Sequence, residues 1–552
     1  MIKNLLKIAF RNIWHNKVLA SINIFGLAIG ISATMLIATI IFYELSYDDF
    51  HNDRERIFRI VTEASTTDDK FYNKGVPAPL GKTIKDRIAG IEAKAVFHTI
   101  GKDKVENKDA NLVFQNPEKI VYADKSFFDI FQYDVVAGDF SNILTNPNEV
   151  VLTRKRAGKY FPNISPYRAI GKTLIYNDTI PVTVVGIVSD IVKTTDLYFQ
   201  EFISSESAVN FGEQNLVESE DWFNSSSSTQ VFIKIDKKIS AQAIEDGLMQ
   251  IAKEHAHSKT LEYSKNTRFL LQPFSDLHFN SKYGAFDDSE YLGNRSFLLG
   301  LSLIAIFLLL LSCINFVNLN TAQGIKRSKE IGIRKTLGGS RRQLIFQFLG
   351  EAFFLTIISA VFSLFISAAL IHIFDDMLPG KLDYSILASY RFIIFNFILI
   401  VVVAFMSGFY PAIILSNYKP TSVLKNTINF GKRKTSFRKS LTIFQLVVAQ
   451  LFIISTIIIG NQVYYLINKD IGFKTDSVVN LRLNEIPDIN KRLIFARELK
   501  QIPSIKAVSL GSGSPFQAMM GFPMKFKKND GETTVFAIKL DGDLEYRSLF
   551  EI

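Results

Sequence analysis

Five long apolar stretches interrupt an otherwise mixed chain, at residues 19–43, 296–320, 347–374, 392–415 and 441–466. A helix of about 20 residues, rising 1.5 Å each, crosses roughly 30 Å of hydrocarbon. Each stretch therefore predicts a transmembrane helix. The first is longer than the core of a secretory signal, and Tyr43-Glu44-Leu45 is no small-residue cleavage site, so it reads as a retained anchor.

Between the first two spans lies a long segment, 44–295, with no such run. Short stretches rich in β-branched and aromatic residues predict strands at Phe58–Ala64, Glu118–Ala123, Glu149–Thr153, Thr183–Val188, Thr229–Ile235 and Arg268–Phe274. Helical spacing predicts helices over Pro79–Ile91, Arg154–Tyr160 and Ser240–His255, the last with Ser240 as N-cap. Asn224 to Ser228 reads as a polar loop. The predicted fold class is a membrane α-helical protein with five transmembrane helices, a large α+β extracytoplasmic domain and the start of a second one.

Charge orients the spans. Lys3, Lys7, Arg11 and Lys17 precede span one. Lys326, Arg327, Lys329, Arg334, Lys335, Arg341 and Arg342 lie between spans two and three. Lys419, Lys425, Lys432, Arg433, Lys434, Arg438 and Lys439 lie between spans four and five. The loop at 375–391 pairs Lys381 with Asp375, Asp376 and Asp383. Basic loops stay in the cytoplasm. The expectation is thus a cytoplasmic N-terminus (1–18) and cytoplasmic loops at 321–346 and 416–440. The segments 44–295, 375–391 and 467–552 then lie outside, in a multi-pass inner-membrane protein. The net charge of +10 is a topology signal and gives no support to nucleic-acid binding.

The chemistry-bearing residues specify no catalytic residue and no metal site. Cys313, the single cysteine, sits inside span two. Gly171-Lys172-Thr173 resembles the end of a phosphate loop, but proline occupies position 166, where a glycine is required. His255 and His257 read as surface histidines, and Asp287, Asp288 and Glu290 lack calcium-loop spacing.

The informative segment is Arg327-Ser-Lys-Glu330-Ile331-Gly332-Ile333-Arg334-Lys335-Thr-Leu337-Gly338-Gly339-Ser-Arg341-Arg342. Its spacing predicts a short amphipathic helix ended by Gly338-Gly339. A basic loop that only sets topology needs no such defined string. The string resembles the cytoplasmic signature of the MacB/FtsX-type ABC transporter permeases. Phe10-Arg11-Asn12 with Asn16-Lys17, Leu271-Gln-Pro-Phe-Ser-Asp-Leu-His278 and Gly408-Phe-Tyr-Pro411-Ala are similar to other parts of that family.

The resemblance implies a permease subunit worked by a separate ABC ATPase, which would hold ATP and magnesium; this chain has no cofactor and is itself no enzyme. It implies an ATPase-coupling loop at Glu330, Ile331, Gly332, Arg334, Lys335, Leu337, Gly338 and Arg341. It implies mechanotransmission to the outer domain, with export or extrusion of a peptide, drug or lipoprotein, and membrane lipids, a periplasmic adaptor or an outer-membrane channel as further partners. An FtsX-like regulator activating a cell-wall hydrolase is the alternative, and a sensor receptor a weaker third. Glu351, close to hydrocarbon, is expected to pair with Arg342 or Arg334. Gly408 and Pro411 are expected to kink or end span four. The stretches Val478–Leu483 and Asn490–Gln501 echo the strand and helix that follow span one. The echo suggests a two-repeat permease whose second copy is incomplete at Ile552.

Overall fold

The computed structural model describes residues 14, 17–65, 70–101, 104–222, 224–255, 267–286, 292–374, 387, 389–417, 432–474, 477–481, 483, 488–515, 520–528 and 531–552. The chain divides into two compact units, Met1–Leu446 and Val447–Ile552.

Among the described residues five helices are long and apolar enough to cross a membrane: Lys17–Leu45, Arg295–Gln323, Arg341–Phe374, Tyr390–Ser416 and Lys439–Asn468. They coincide with the predicted spans one to five. Spans one to four alternate in direction, so the C-terminal ends of one and three lie with the N-terminal ends of two and four. Lipid tails are as apolar as leucine, so helix contact here rests on close approach and buried hydrogen bonds. A Cβ on Gly30 would stand 2.1 Å from Ser312 Oγ, so span one touches span two backbone-close at that point. Ser367 Oγ donates to the Ser32 carbonyl at 3.2 Å, joining spans three and one.

The segment between spans one and two is a mixed α+β soluble domain on one 13-stranded sheet. Its strands are β1 (Ile57–Ser65), β2 (Lys70–Asn73), β3 (Ile91–Ile100), β4 (Lys104–Asn107), β5 (Leu112–Gln115), β6 (Ile120–Ala123) and β7 (Val135–Gly138). There follow β8 (Glu149–Thr153), β9 (Thr173–Tyr176), β10 (Ile180–Val188), β11 (Glu201–Ser204), β12 (Thr229–Ile235) and β13 (Arg268–Pro273). The order is β13-β1-β12-β3-β6-β11-β8-β10-β9-β4-β5, with β2 beside β1 and β7 beside β10. The first and last strands of the domain, β1 and β13, are antiparallel neighbours, with Arg59 opposite Gln272. That closure brings the end of span one and the start of span two to one corner.

The helices Ala78–Arg87 and Ala241–His255 cover one face, burying Ile84, Leu248 and Ile251 against Ile60 and Val231. The Ser240 hydroxyl accepts from the Ala243 N–H at 3.3 Å, the N-cap expected. The other face buries an aromatic cluster of Phe97, Phe127, Phe131, Phe202, Phe232 and Phe274. Each buried ring contributes about 1.5–3 kcal/mol by area. A third cluster at the β8–β10 end surrounds Tyr160, Tyr176 and Leu152.

The six strands read from the sequence are present, and seven more join them. The helix expected over Pro79–Ile91 stops at Arg87, and Ile91–Ile100 is strand β3, deep in the sheet. Gly90, at φ +94°, ends any helical continuation. Beyond it Ala95 and Phe97 are buried between β12 and β6, so packing overrides the helix-favouring Glu-Ala-Lys composition.

In the second unit, Asp488 caps a helix at Ile489–Lys500, matching the predicted Asn490–Gln501. A hairpin of β14 (Met520–Lys528) and β15 (Gly531–Lys539) follows. The described residues of 478–483 form no strand, so that part of the echo is not met.

Candidate functional site

The helix bundle has two ends, and conspicuous polar structure gathers at each. At the end away from the soluble domain, the predicted short helix is instead the last three turns of span two's own helix. That helix runs unbroken from Arg295 to Thr336, and the next begins at Arg341. Gly338 takes φ +94°. Its N–H donates to the Lys335 carbonyl at 3.1 Å, and the Gly339 N–H to the Arg334 carbonyl at 3.0 Å. This is a Schellman stop, which explains the glycine pair.

The turn is anchored by Ile331, packed with Leu344, Phe348, Ala412 and Leu415 from spans three and four. Gly332 is buried beside it. Lys335 Nζ donates to the Ser416 carbonyl at 2.7 Å. Arg334 pairs with Glu330 and donates to Gln347 Oε1 at 2.7 Å. Gln347 in turn donates to Glu351 Oε1 at 3.1 Å. Arg334 thus reaches Glu351 through one amide.

Arg342 is not brought to Glu351. They sit nine residues apart on one helix, so about 13 Å along the axis and on opposite faces. Leu337, Ile333, Arg341 and Arg342 face outward. Span four continues five residues past Pro411 to Ser416, so the proline does not end it. Gly408 is a close-contact position: a Cβ there would meet Ala352 Cβ at 2.7 Å.

At the opposite end, spans one and two join the soluble domain through one buried histidine. His278 Nε2 lies 3.0 Å from Glu44 Oε2, at the end of span one. Its Nδ1 lies 3.0 Å from Asp196 Oδ1, in the loop between β10 and β11. The imidazole stacks on Tyr47, with centroids 3.5 Å apart. Its backbone carbonyl accepts from the Gly293 N–H at 2.9 Å, two residues before span two's helix. A Cβ on Gly293 would press within 2.8 Å of both Glu44 Oε2 and the imidazole. Burial pulls the imidazole pKa down, but Asp196 and Glu44 outweigh it and hold it up at about 9. His278 is therefore an imidazolium between two carboxylates at neutral pH. Beside it Asp49 takes Arg54 at 2.7 Å and Arg391, at the start of span four, at 2.5 Å.

This junction was not among the residues singled out from the sequence, although His278 closes the family-like string at Leu271–His278. The available signal was Glu44, an ionisable residue at the very end of an apolar run. A second buried network missed from sequence joins Arg156, Tyr176 and Glu201, with Arg156 Nε 3.0 Å and Tyr176 Oη 2.7 Å from the carboxylate. It ties the start of β11, a central strand, to the helix Arg154–Tyr160 and to the end of β9.

Of the other tempting residues, Gly171 and His255 have local structural contacts. Gly171 turns the chain at φ +80° and its N–H donates to Val184 in the sheet. His255 stacks on Trp222. His257 and the acids Asp287, Asp288 and Glu290 lie outside the described residues. Among the described residues no group of three or more His, Cys, Asp or Glu could hold a metal.

A soluble α+β domain inserted between the first two spans, clasped to both, with span two's helix continuing to a glycine-stopped hairpin, defines a multispan membrane protein of permease architecture. Residues 20–251 match the family model of the MacB-like periplasmic core domain, and residues 302–420 that of the FtsX-like permease C-terminal region. The chain belongs to the MacB/FtsX-like permease superfamily. It is 21% identical over 290 residues to the macrolide export ATP-binding/permease protein MacB of Campylobacter jejuni, covering 51% of this chain and 40% of that protein. It is 31% identical over 132 residues to the uncharacterized ABC transporter permease YvrN of Bacillus subtilis, covering 24% of this chain and 31% of that protein. The chain thus spans well under half the length of these relatives. The periplasmic region of MacB from Actinobacillus actinomycetemcomitans aligns at 14% identity and TM-score 0.28, over 40% of this chain and 89% of that one.

Proposed function

We propose that the chain is the membrane subunit of an ATP-binding cassette transporter, moved from the cytoplasmic side by a partner ATPase. The observation that carries this reading is the helix Arg295–Thr336. Its 42 residues make a rod of about 63 Å at 1.5 Å each, with the His278 clasp at one end and the glycine-stopped hairpin at the other. A push on the hairpin reaches the clasp without crossing a loop.

The basic loops favour a cytoplasmic hairpin and an extracytoplasmic domain, in a bacterial inner membrane. The exposed Ile333, Leu337, Arg341 and Arg342 then form the ATPase-facing surface. Ile331, Gly332, Arg334, Lys335 and Gly338 hold its shape. The driven change serves export or extrusion, with a peptide, drug or lipoprotein as cargo, alongside an adaptor or an outer-membrane channel.

The test is purification of the tagged chain from membranes with its associated proteins and ATPase activity. An ATPase should co-purify with wild type, and Leu337→Asp should release it while the chain still folds. Membranes in which no ATPase associates would overturn the reading. A cell-wall hydrolase recovered with the soluble domain, and no cargo, would favour the regulatory alternative.

A further inference from the structure

The junction holds more buried acid than its cations can serve. Glu44, Asp48 and Asp196 are all buried there. His278 is already shared by Glu44 and Asp196. Arg59, fully buried on β1, donates to Gln272 at 2.9 Å. Its Nη atoms have no hydrogen-bond partner among the described residues.

Asp48 has only neutral donors in contact: the Thr195 hydroxyl and, at 3.4 Å, the Asp196 N–H. His51 Nε2 stands 3.7 Å away, and burial with Lys193 nearby pushes that imidazole down to about 4, leaving it neutral. The remaining groups that face Asp48 are Tyr133, Asp196 and His278, with Glu44 and Tyr47 beyond on span one's end. Glu44 Oε1 and Asp196 Oδ2 are buried acceptors with no donor among the described residues. Of the three buried carboxyls Asp48 is the one with no charged donor in contact among the described residues, since His278 lies on Glu44 and Asp196.

The same residue ties span one's exit to the domain. The Asp48 N–H donates to the Thr194 carbonyl at 3.0 Å, and Ser46 Oγ meets Thr194 Oγ1 at 2.7 Å. We propose that Asp48 is a proton-binding site whose protonation locks the end of span one onto the 194–196 loop and whose ionisation loosens it. Ionised, Asp48 adds a further negative charge beside Asp196 with no cation of its own. Burial first, and then Asp196, raise its carboxyl to about 7, against the lowering donors Thr195 and the Asp196 N–H and the more distant charge of His278. A raised acid strengthens the folded junction on the acid side. The lock is therefore complete at low pH and is lost as pH rises through about 7.

The test is hydrogen–deuterium exchange on the full chain in lipid nanodiscs, following peptides over 44–51 and 190–197. Measurements at about pH 5 and about pH 6.5, below the range in which His278 loses its proton, corrected for intrinsic rates, should differ on the order of tenfold in wild type. Asp48→Asn should hold both peptides at the acid-side protection at either pH. A wild type without this difference, or an Asn variant that keeps it, overturns the proposal. If the variant does not fold, infrared spectra of wild type with labelled aspartate decide. A buried protonated carboxyl band that bleaches across neutral pH supports the site, and its absence overturns it. Neither measurement involves an ATPase, so failure here leaves the transporter reading standing.

Discussion

Lys335, in the last turn of span two's helix, donates to the backbone carbonyl of Ser416, the last residue of span four's helix, at 2.7 Å. The final carbonyls of a helix lack intrahelical partners, and a cation there also meets the negative end of the helix dipole. One ammonium therefore fastens the hairpin to span four. Lys335→Met should cost about 1 kcal/mol of stability, a charged hydrogen bond discounted for partial exposure. A lower thermal midpoint of the purified chain in detergent checks this. An unchanged midpoint would show that Ile331 and its apolar neighbours hold the hairpin alone.

Gly293 presses directly on the Glu44–His278 contact, where a Cβ would sit 2.7 Å from His278 Cδ2. Gly293→Ala should push the imidazole off Glu44 and destabilise the junction by about 1–3 kcal/mol, the usual cost of overpacking. Gly300, seven residues on, has nothing within 4 Å of its Cβ position. Gly300→Ala should be neutral or slightly stabilising, since alanine is the better helix former. Exchange protection of peptides over 274–286 in the two variants checks the contrast.

The spans were legible in the sequence because a 20-residue apolar run has few other uses. The stop at Gly338-Gly339 was legible because only glycine takes that turn readily. The hairpin's continuity with span two was not: residues 320–336 lose the apolar pattern, and composition cannot say whether a helix goes on. Strand β3 was hidden by helix-favouring residues whose strand form is imposed by neighbours on both sides. The four-residue strands β2, β4, β5, β7, β9 and β11 are too short to show a period. The junction was hidden for a different reason. Glu44, Asp196 and His278 are far apart along the chain; the β1–β13 pairing brings the first and last together, and the β10–β11 loop brings Asp196 to them.

Gly30 is a point of close approach between spans one and two, with Ser312 Oγ 2.1 Å and Ser312 Cβ 2.7 Å from its Cβ position. A larger residue forces the helices apart and breaks Thr34 Oγ1 from the Ala305 carbonyl, now at 3.4 Å. Gly30→Leu should destabilise the bundle by about 2 kcal/mol. It should also uncouple the two spans, lowering ATPase stimulation if the partner subunit is present. Gly460→Leu in span five, a position with nothing within 4 Å, is the control and should leave the stability within about 0.5 kcal/mol of wild type.

His278 gives the junction a second and separate dependence on pH. Its imidazole is raised from 6.5 to about 9 by Asp196 and Glu44 against the opposing pull of burial. A base whose folded pKa is raised adds stability fully present below the unfolded value and lost as pH climbs through the folded one. The loss therefore runs from about 6.5 to about 9, and its size is roughly 3 kcal/mol for a buried group. His278→Gln keeps hydrogen-bonding capacity but cannot carry the charge. It should lower the thermal midpoint near pH 6 and much less near pH 9, so the two curves converge as pH rises. Curves that stay parallel would mean that His278 contributes packing on Tyr47 and no charge.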